Sequence, residues 1–324
     1  MTSPALAAFA ESLATRLATD LGAAATPMTS TMQLLIPSTS WNWPTDANGT
    51  SSAALYDFCS WVPASDSSGL PFAPSPTRFS DGYKLFLRCL QSDELTTAAR
   101  VAFQDDTFYT TVLFAGSGQP RMPAWNISQF PQTWLADVAG GSSTAGTIHV
   151  KLPAQGEPQG GTGGPTCFAL VSPEGADTPI PLGAGQGQSV DIHADAWGQI
   201  SVRPSGWYDG ALLTLKSGGP FLTGNANTFF GADGILRNIL TGLCVALNPT
   251  ITASVTADFA ARLHQAQRPG STLRVAGLHF DTFETSADTT RAEATTRLTA
   301  SSAPTQPHAV IVGVTIASLT NHAT

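Results

Sequence analysis

The segment Ala309–Leu319 is apolar almost without interruption and rich in β-branched residues, so it suits a strand in the interior of a sheet. The segment Thr250–Ala257 is its counterpart. There hydroxyl and small apolar residues alternate at every position, the period of two expected of a strand with one face wet.

Around these segments the pattern is mixed. Ser3 caps a helix with Pro4 at its first position; Leu6, Phe9, Leu13 and Leu17 share one face, and Gly22 stops it. A short apolar strand follows at Met32–Ile36, then a stretch from Ser38 to Ser80 rich in Pro, Ser, Asp and Trp reads as irregular. Phe79, Tyr83, Phe86, Leu87 and Leu90 form one helical stripe, and Leu95, Ala98, Ala99 and Ala102 form a second after Ser92-Asp93. A strand at Phe108–Phe114 and a helix at Pro131–Val138 close this part. The glycines of 141–165 mark a flexible loop or linker, because ordering so many glycines is entropically expensive.

Beyond the glycines, strands are expected at Cys167–Val171, Ser189–His193, Gln199–Arg203, Ala211–Leu215 and Thr272–Phe280, with one at Thr147–Leu152 inside the Gly-rich region. Asp195–Gly198 reads as a hairpin turn between two of them. Leu236, Leu240, Leu243 and Leu247 recur at helical spacing, predicting a helix over Ile235–Leu247, and a shorter helix is expected at Phe259–Gln267. Arg291–Leu298 and Ala309–Leu319 are expected to close the chain as a hairpin through Ser302–Pro307. The fold class is therefore α+β: a helical N-terminal half (1–140), a Gly-rich linker (141–165) and a mainly antiparallel β-sandwich half (166–324).

Charge narrows the function. Only 12% of the 324 residues are charged, about half the usual share, and the runs Gly22–Thr45 and Asn238–Ala257 carry no charge at all. With 15 Lys and Arg and a net charge of −8, the chain lacks the basic stripe that nucleic acid or anionic lipid requires. The N-terminus has no basic leader region, and Asn248-Pro249 interrupts the 20-residue uncharged run Asn238–Ala257, which has the length of a bilayer span. An uncharged, hydroxyl-rich exterior repels other surfaces weakly, which suits contact with a second copy, a glycan or a membrane surface.

Candidate sites are few. Trp41 and Trp43 lie in a polar, turn-rich stretch, and Trp207-Tyr208-Asp209 forms a second aromatic tip; flat rings beside amides and carboxylates suit a glycan or a membrane interface. Two His-x-Asp triplets, His193/Asp195 and His279/Asp281, could each put an imidazole and a carboxylate on one side of a strand, as a metal or a general base would need. No G-x-S-x-G or P-loop occurs, and no cofactor is implied. Cys59, Cys89, Cys167 and Cys244 contain no C-x-x-C pair and read as buried thiols. The sequence thus favours a non-enzymatic binding or self-assembling protein, toxin-like if membrane-directed, over a metal-dependent hydrolase centred on a His-x-Asp pair.

Overall fold

A computed structural model describes residues 8–15, 30–35, 50–67, 70–111, 121–141, 144–151, 167–181, 189–276, 278–287, 295–301 and 309–319. Helix α1 (residues 8–15) leads to strand β1 (Ser30–Leu34), helix α2 (Thr50–Cys59) and the antiparallel pair β2 (Trp61–Pro63) and β3 (Pro74–Arg78). Helices α3 (Phe79–Cys89) and α4 (Glu94–Gln104) follow. They are split at Asp93, whose carboxylate accepts the Thr96 N–H at 2.8 Å and caps α4. Strands β4 (Tyr109–Thr111), β5 (Arg121–Pro123) and β6 (Trp125–Ile127) come next, then helix α5 (Pro131–Ala139), begun by its proline, and strand β7 (Thr144–Lys151).

Strands β8 (Phe168–Val171), β9 (Asp177–Pro179) and β10 (Ser189–Pro204) precede helices α6 (Gly210–Lys216) and α7 (Ala226–Phe230). The rest is β11 (Asn238–Leu247), β12 (Thr250–Thr256), helix α8 (Ala257–Ala266), β13 (Thr272–Val275), β14 (Leu278–Phe280), β15 (Thr282–Ala287), β16 (Thr295–Ser301) and β17 (Ala309–Ser318). Every strand pairing among these is antiparallel.

Among the described residues, nine strands make one sheet in the order β1-β17-β11-β10-β12-β16-β15, with β6 and β7 also bonded to β10. Its spine is a long ribbon. Pairing runs in step from Ser201↔Gly242 to Ala196↔Leu247, and resumes in the same step from His193↔Thr250 to Ser189↔Ser254. β11 and β12 are therefore one strand in register, interrupted by Asn248, whose φ is 48°, and Pro249. At that interruption the outer partner changes from β17 to β16.

The sheet separates two cores. On one side, helices α2 to α7 pack Phe58, Phe79, Tyr83, Phe86, Trp134, Trp207 and Phe229 against Ile200, Leu243, Val245, Ile311 and Val314. On the other side, α1, α8 and a four-stranded sheet (β14-β13-β8-β9) pack Phe9, Phe168, Phe259 and Phe280 against Val190, Ile192, Ile251, Leu298 and Val312. The mixed, mainly antiparallel character expected from sequence holds. β1, β6 and β7, from the first part of the chain, are strands of the same large sheet as β10 to β12 and β15 to β17.

Six expectations change at the level of elements. The stretch Ser38–Ser80, expected to be irregular, holds helix α2 and the strands β2 and β3, which bury Leu55, Phe58 and Val62 in the helical-side core. The turn at Asp195–Gly198 does not form, and β10 continues through it with a register shift against β7 between Ala194 and Trp197. Gly198 is small for another reason: a Cβ there would meet Trp134 Nε1 at 2.6 Å, so the glycine admits the indole. Ala211–Leu215 is helical in α6, because Asp209 accepts the Leu212 N–H at 3.0 Å and starts a turn that buries Leu212 and Leu213. The expected helix over Ile235–Leu247 is strand β11. A register shift between Leu240 and Gly242 changes which face later residues present, so Leu240 and Leu243, three apart, both reach the aromatic core.

The stretch Thr272–Phe280 is two strands, β13 and β14, folded back after Ala276 at φ 52°. Finally, β16 and β17 are not a hairpin. The doubly buried β17 lies between β1 and β11, whereas β16 extends the open side between β12 and β15. Of the four thiols, Cys59, Cys167 and Cys244 are buried and Cys89 is half-buried, so the expectation of buried thiols holds for three.

Candidate functional site

Strands β7, β10, β12, β16 and β15 lie side by side, and alternate residues of each point away from the core into solvent. Registers align these outward positions in rows. One row reads Thr147, His193, Thr250, Ser301 and Thr282; the next reads His149, Asp191, Thr252, Thr299 and Glu284. In the third, Lys151, Ser254, Arg297 and Ser286 flank the covered Ser189. The residues between them, such as Ile148, Ile192, Ile251 and Leu298, are buried. The chain folds this way locally because strict alternation offers one apolar face, and burying it fixes the register.

The face is wetted mainly by Ser and Thr, and within these three rows Asp191 and Glu284 are matched by Lys151 and Arg297. Its side chains bond across strands. The Thr282 hydroxyl donates to the Ser301 carbonyl at 3.0 Å, the Thr299 hydroxyl reaches Glu284 Oε1 at 3.4 Å, and the Thr147 hydroxyl lies 3.3 Å from His193 Nδ1. His149 Nδ1 and Asp191 Oδ1 are hydrogen-bonded on adjacent strands. A shallow groove of about 430 Å³ runs over Thr250, Thr252, Thr282, Glu284, Thr299 and Ser301.

The residues singled out from sequence are placed as follows. Trp41 and Trp43 lie outside the described residues. Trp207, expected on an exposed tip, is instead fully buried: its Nε1 donates to the Ala124 carbonyl at 2.6 Å. The rings of Phe103 and Trp125 stand 6.0 Å from it, in edge-on contact. The correction has a simple cause. The indole N–H finds a backbone acceptor inside, so the large apolar ring gains more by burial than by exposure.

Tyr208 is half-buried, 5.0 Å ring to ring from Tyr83. Burial, then the neighbouring Tyr83, pushes its hydroxyl pKa up. Asp209 is exposed, caps α6, and donates its N–H to the Tyr83 hydroxyl at 3.1 Å. This tip is a corner of the aromatic core.

The two His-x-Asp triplets are not alike. His193 and Asp195 both lie on the exposed side of β10, but they are committed to opposite neighbours. His193 meets Thr147 of β7, while Asp195 accepts the Asn248 amide at 2.8 Å. His279 sits opposite Arg274 in the β13–β14 pair, and Arg274 bonds Asp177 at 2.8 Å rather than Asp281. Burial, then the Arg274 cation, holds the imidazole below its usual pKa. A cation at that position works against a metal ion. Asp281 lies past the end of β14, on a surface depression of about 560 Å³ with His264, Arg268 and Ser271. Among the described residues, no three His, Cys, Asp or Glu side chains gather as metal ligands.

Sequence reasoning passed over His149 and its pairing with Asp191. The available signal was the alternation of Thr147, His149 and Lys151 along one strand, which put His149 on the wet face; the partner strand was not legible. Among the described residues, no helix is long and apolar enough to cross a membrane. Comparison with family models, with curated proteins and with solved structures finds no match for this chain.

Proposed function

We propose that the protein is a non-enzymatic binding or self-assembling protein, and that its contact surface is the hydroxyl-bearing face of β7, β10, β12, β16 and β15, occupied by a second copy of the chain. One observation carries this reading: β7, β12, β16 and β15 direct Ser and Thr outward in aligned rows, with His193 and Asp191 of β10 between them, and within these rows two acids are matched by two bases. Such a face has little long-range repulsion against its own copy, and its acids and bases can pair with each other's counterparts across a two-fold axis. The stacking of the four-stranded sheet on the large sheet, through Phe168, Leu273 and Phe280, supports a sandwich-like reading of this half of the chain.

Multi-angle light scattering across a concentration series tests the proposal. The wild-type chain is expected to form a dimer or larger particle, and Thr252→Lys combined with Thr299→Lys is expected to return it to a monomer with unchanged circular dichroism. A wild-type chain that stays monomeric at high concentration overturns the reading, as does a double variant that keeps the assembled mass. A glycan- or membrane-directed surface would instead reveal itself by retention on glycan arrays or by co-flotation with liposomes.

A further inference from the structure

The helical side of the molecule holds a feature opposite in character to the hydroxyl face. Between α3 and α4 lies a groove of about 460 Å³, bounded by Lys84 and Arg88 on one helix, Arg100 on the other, and an apolar floor of Leu87, Phe103 and Pro123. It is closed at one end by Tyr109, whose hydroxyl donates to the Phe103 carbonyl and holds the β4 end against α4. We infer that this groove is a binding site for a small organic anion with a flat apolar body, an aromatic carboxylate or a comparable ring-bearing anion.

The charges carry the inference. The chain has 15 Lys and Arg in all and a net charge of −8, yet three of those cations line this one groove with a single acid, Asp81. Lys84 and Arg88 are one helical turn apart on the same face, an arrangement in which like charges repel. Arg100 adds a third cation that cannot swing away. Its guanidinium donates to the Leu87 carbonyl at 2.7 and 3.0 Å, to the Leu90 carbonyl at 2.8 Å and to Ser92 Oγ at 2.6 Å.

The placement of Arg88 in the last turn of α3 complements the helix dipole, but Lys84 in the middle of the helix has no such reason to be cationic. Neither Lys84 nor Arg88 forms an ion pair among the described residues, and Asp81 does not close on Lys84. An anion between the helices would relieve this repulsion. Phe103 and Pro123, half-buried above the sealed Leu87, would take a ring out of water, so charge and apolar area act on two ends of one molecule.

The test uses 2-naphthoate as the probe, with neutral 2-naphthalenemethanol and inorganic phosphate as controls, titrated against the full chain by isothermal calorimetry. Naphthoate is expected to saturate near one per chain, at least tenfold tighter than either control and weakening as salt is raised. Arg88→Glu and Lys84→Glu are each expected to reduce that affinity at least tenfold. Both side chains are exposed, so the variants should keep the wild-type circular dichroism; Lys84→Gln with Arg88→Gln serves as a milder pair if either reversal perturbs folding. The inference is overturned if naphthoate does not saturate, if the neutral analogue binds equally well, or if the charge variants bind as the wild type does.

Discussion

The ribbon formed by β10 with β11 and β12 has two halves that share one register and differ in what covers them. In the half built on β11 both faces are covered, so Leu243 and Val245 are buried in the core on the helical side and Cys244 and Ala246 in the core on the other. In the half built on β12 only Ile251, Ala253 and Val255 are buried, and Thr250, Thr252 and Ser254 meet solvent. Identical hydrogen bonding thus supports two different objects: a structural divider at one end and a presented surface at the other. The Asn248-Pro249 interruption is what lets one strand serve both, because it changes the outer neighbour without losing step with β10.

This contrast can be broken by substitution. Leu243→Ala leaves a void in the doubly covered half and is expected to lower stability by about 2–5 kcal/mol in chemical denaturation. Gly242→Ala comes next. Its methyl group would approach Thr315 Oγ1 to 2.5 Å and the Ile200 carbonyl to 3.3 Å, so a loss of roughly 1–3 kcal/mol is expected on the same measurement. At the junction, Asn248→Ala keeps a positive φ without the side chain that tolerates it and gives up the bond to Asp195, for about 1–2 kcal/mol.

Asn248→Gly keeps the backbone freedom and should lose less than the alanine variant, which separates the turn from the hydrogen bond. In the open half, Thr252→Val should move stability by less than about 0.5 kcal/mol. If the two halves respond equally to these changes, the division between covered and presented strand is wrong.

The same contrast explains which elements could be read from sequence. β12 was legible because one wet face writes a period of two into the chain, and α3, α4 and α8 were legible because each has one apolar stripe, with Asp93 and Thr256 capping α4 and α8. β11 was not, since covering both faces erases alternation and the bulge at Leu240–Gly242 produces a three-residue leucine spacing that imitates a helix. β10 was split because Gly198 resembles a turn residue, and only the position of Trp134 reveals why it is there. In the site, the wet face was legible in the alternation of β12 and of the segment leading into β16, whereas β15 was not read as a strand. The alignment of outward residues into rows, and the meeting of His149 with Asp191, depend on strand order, which no local pattern encodes. Trp207 was misplaced for the converse reason: a polar neighbourhood in sequence says nothing about a distant acceptor such as the Ala124 carbonyl.

The distribution of the four thiols gives the molecule an internal gauge of its own opening. Cys59, Cys167 and Cys244 are sealed inside, and burial pushes the Cys59 and Cys244 thiols up, away from the reactive thiolate. Cys89 is half-buried, its sulfur 3.3 Å from the Thr223 hydroxyl. An alkylating reagent should therefore add a single mass increment to the native chain and the remaining increments only as the cores come apart, so that intact mass spectra taken over time would count how much of the population has unfolded.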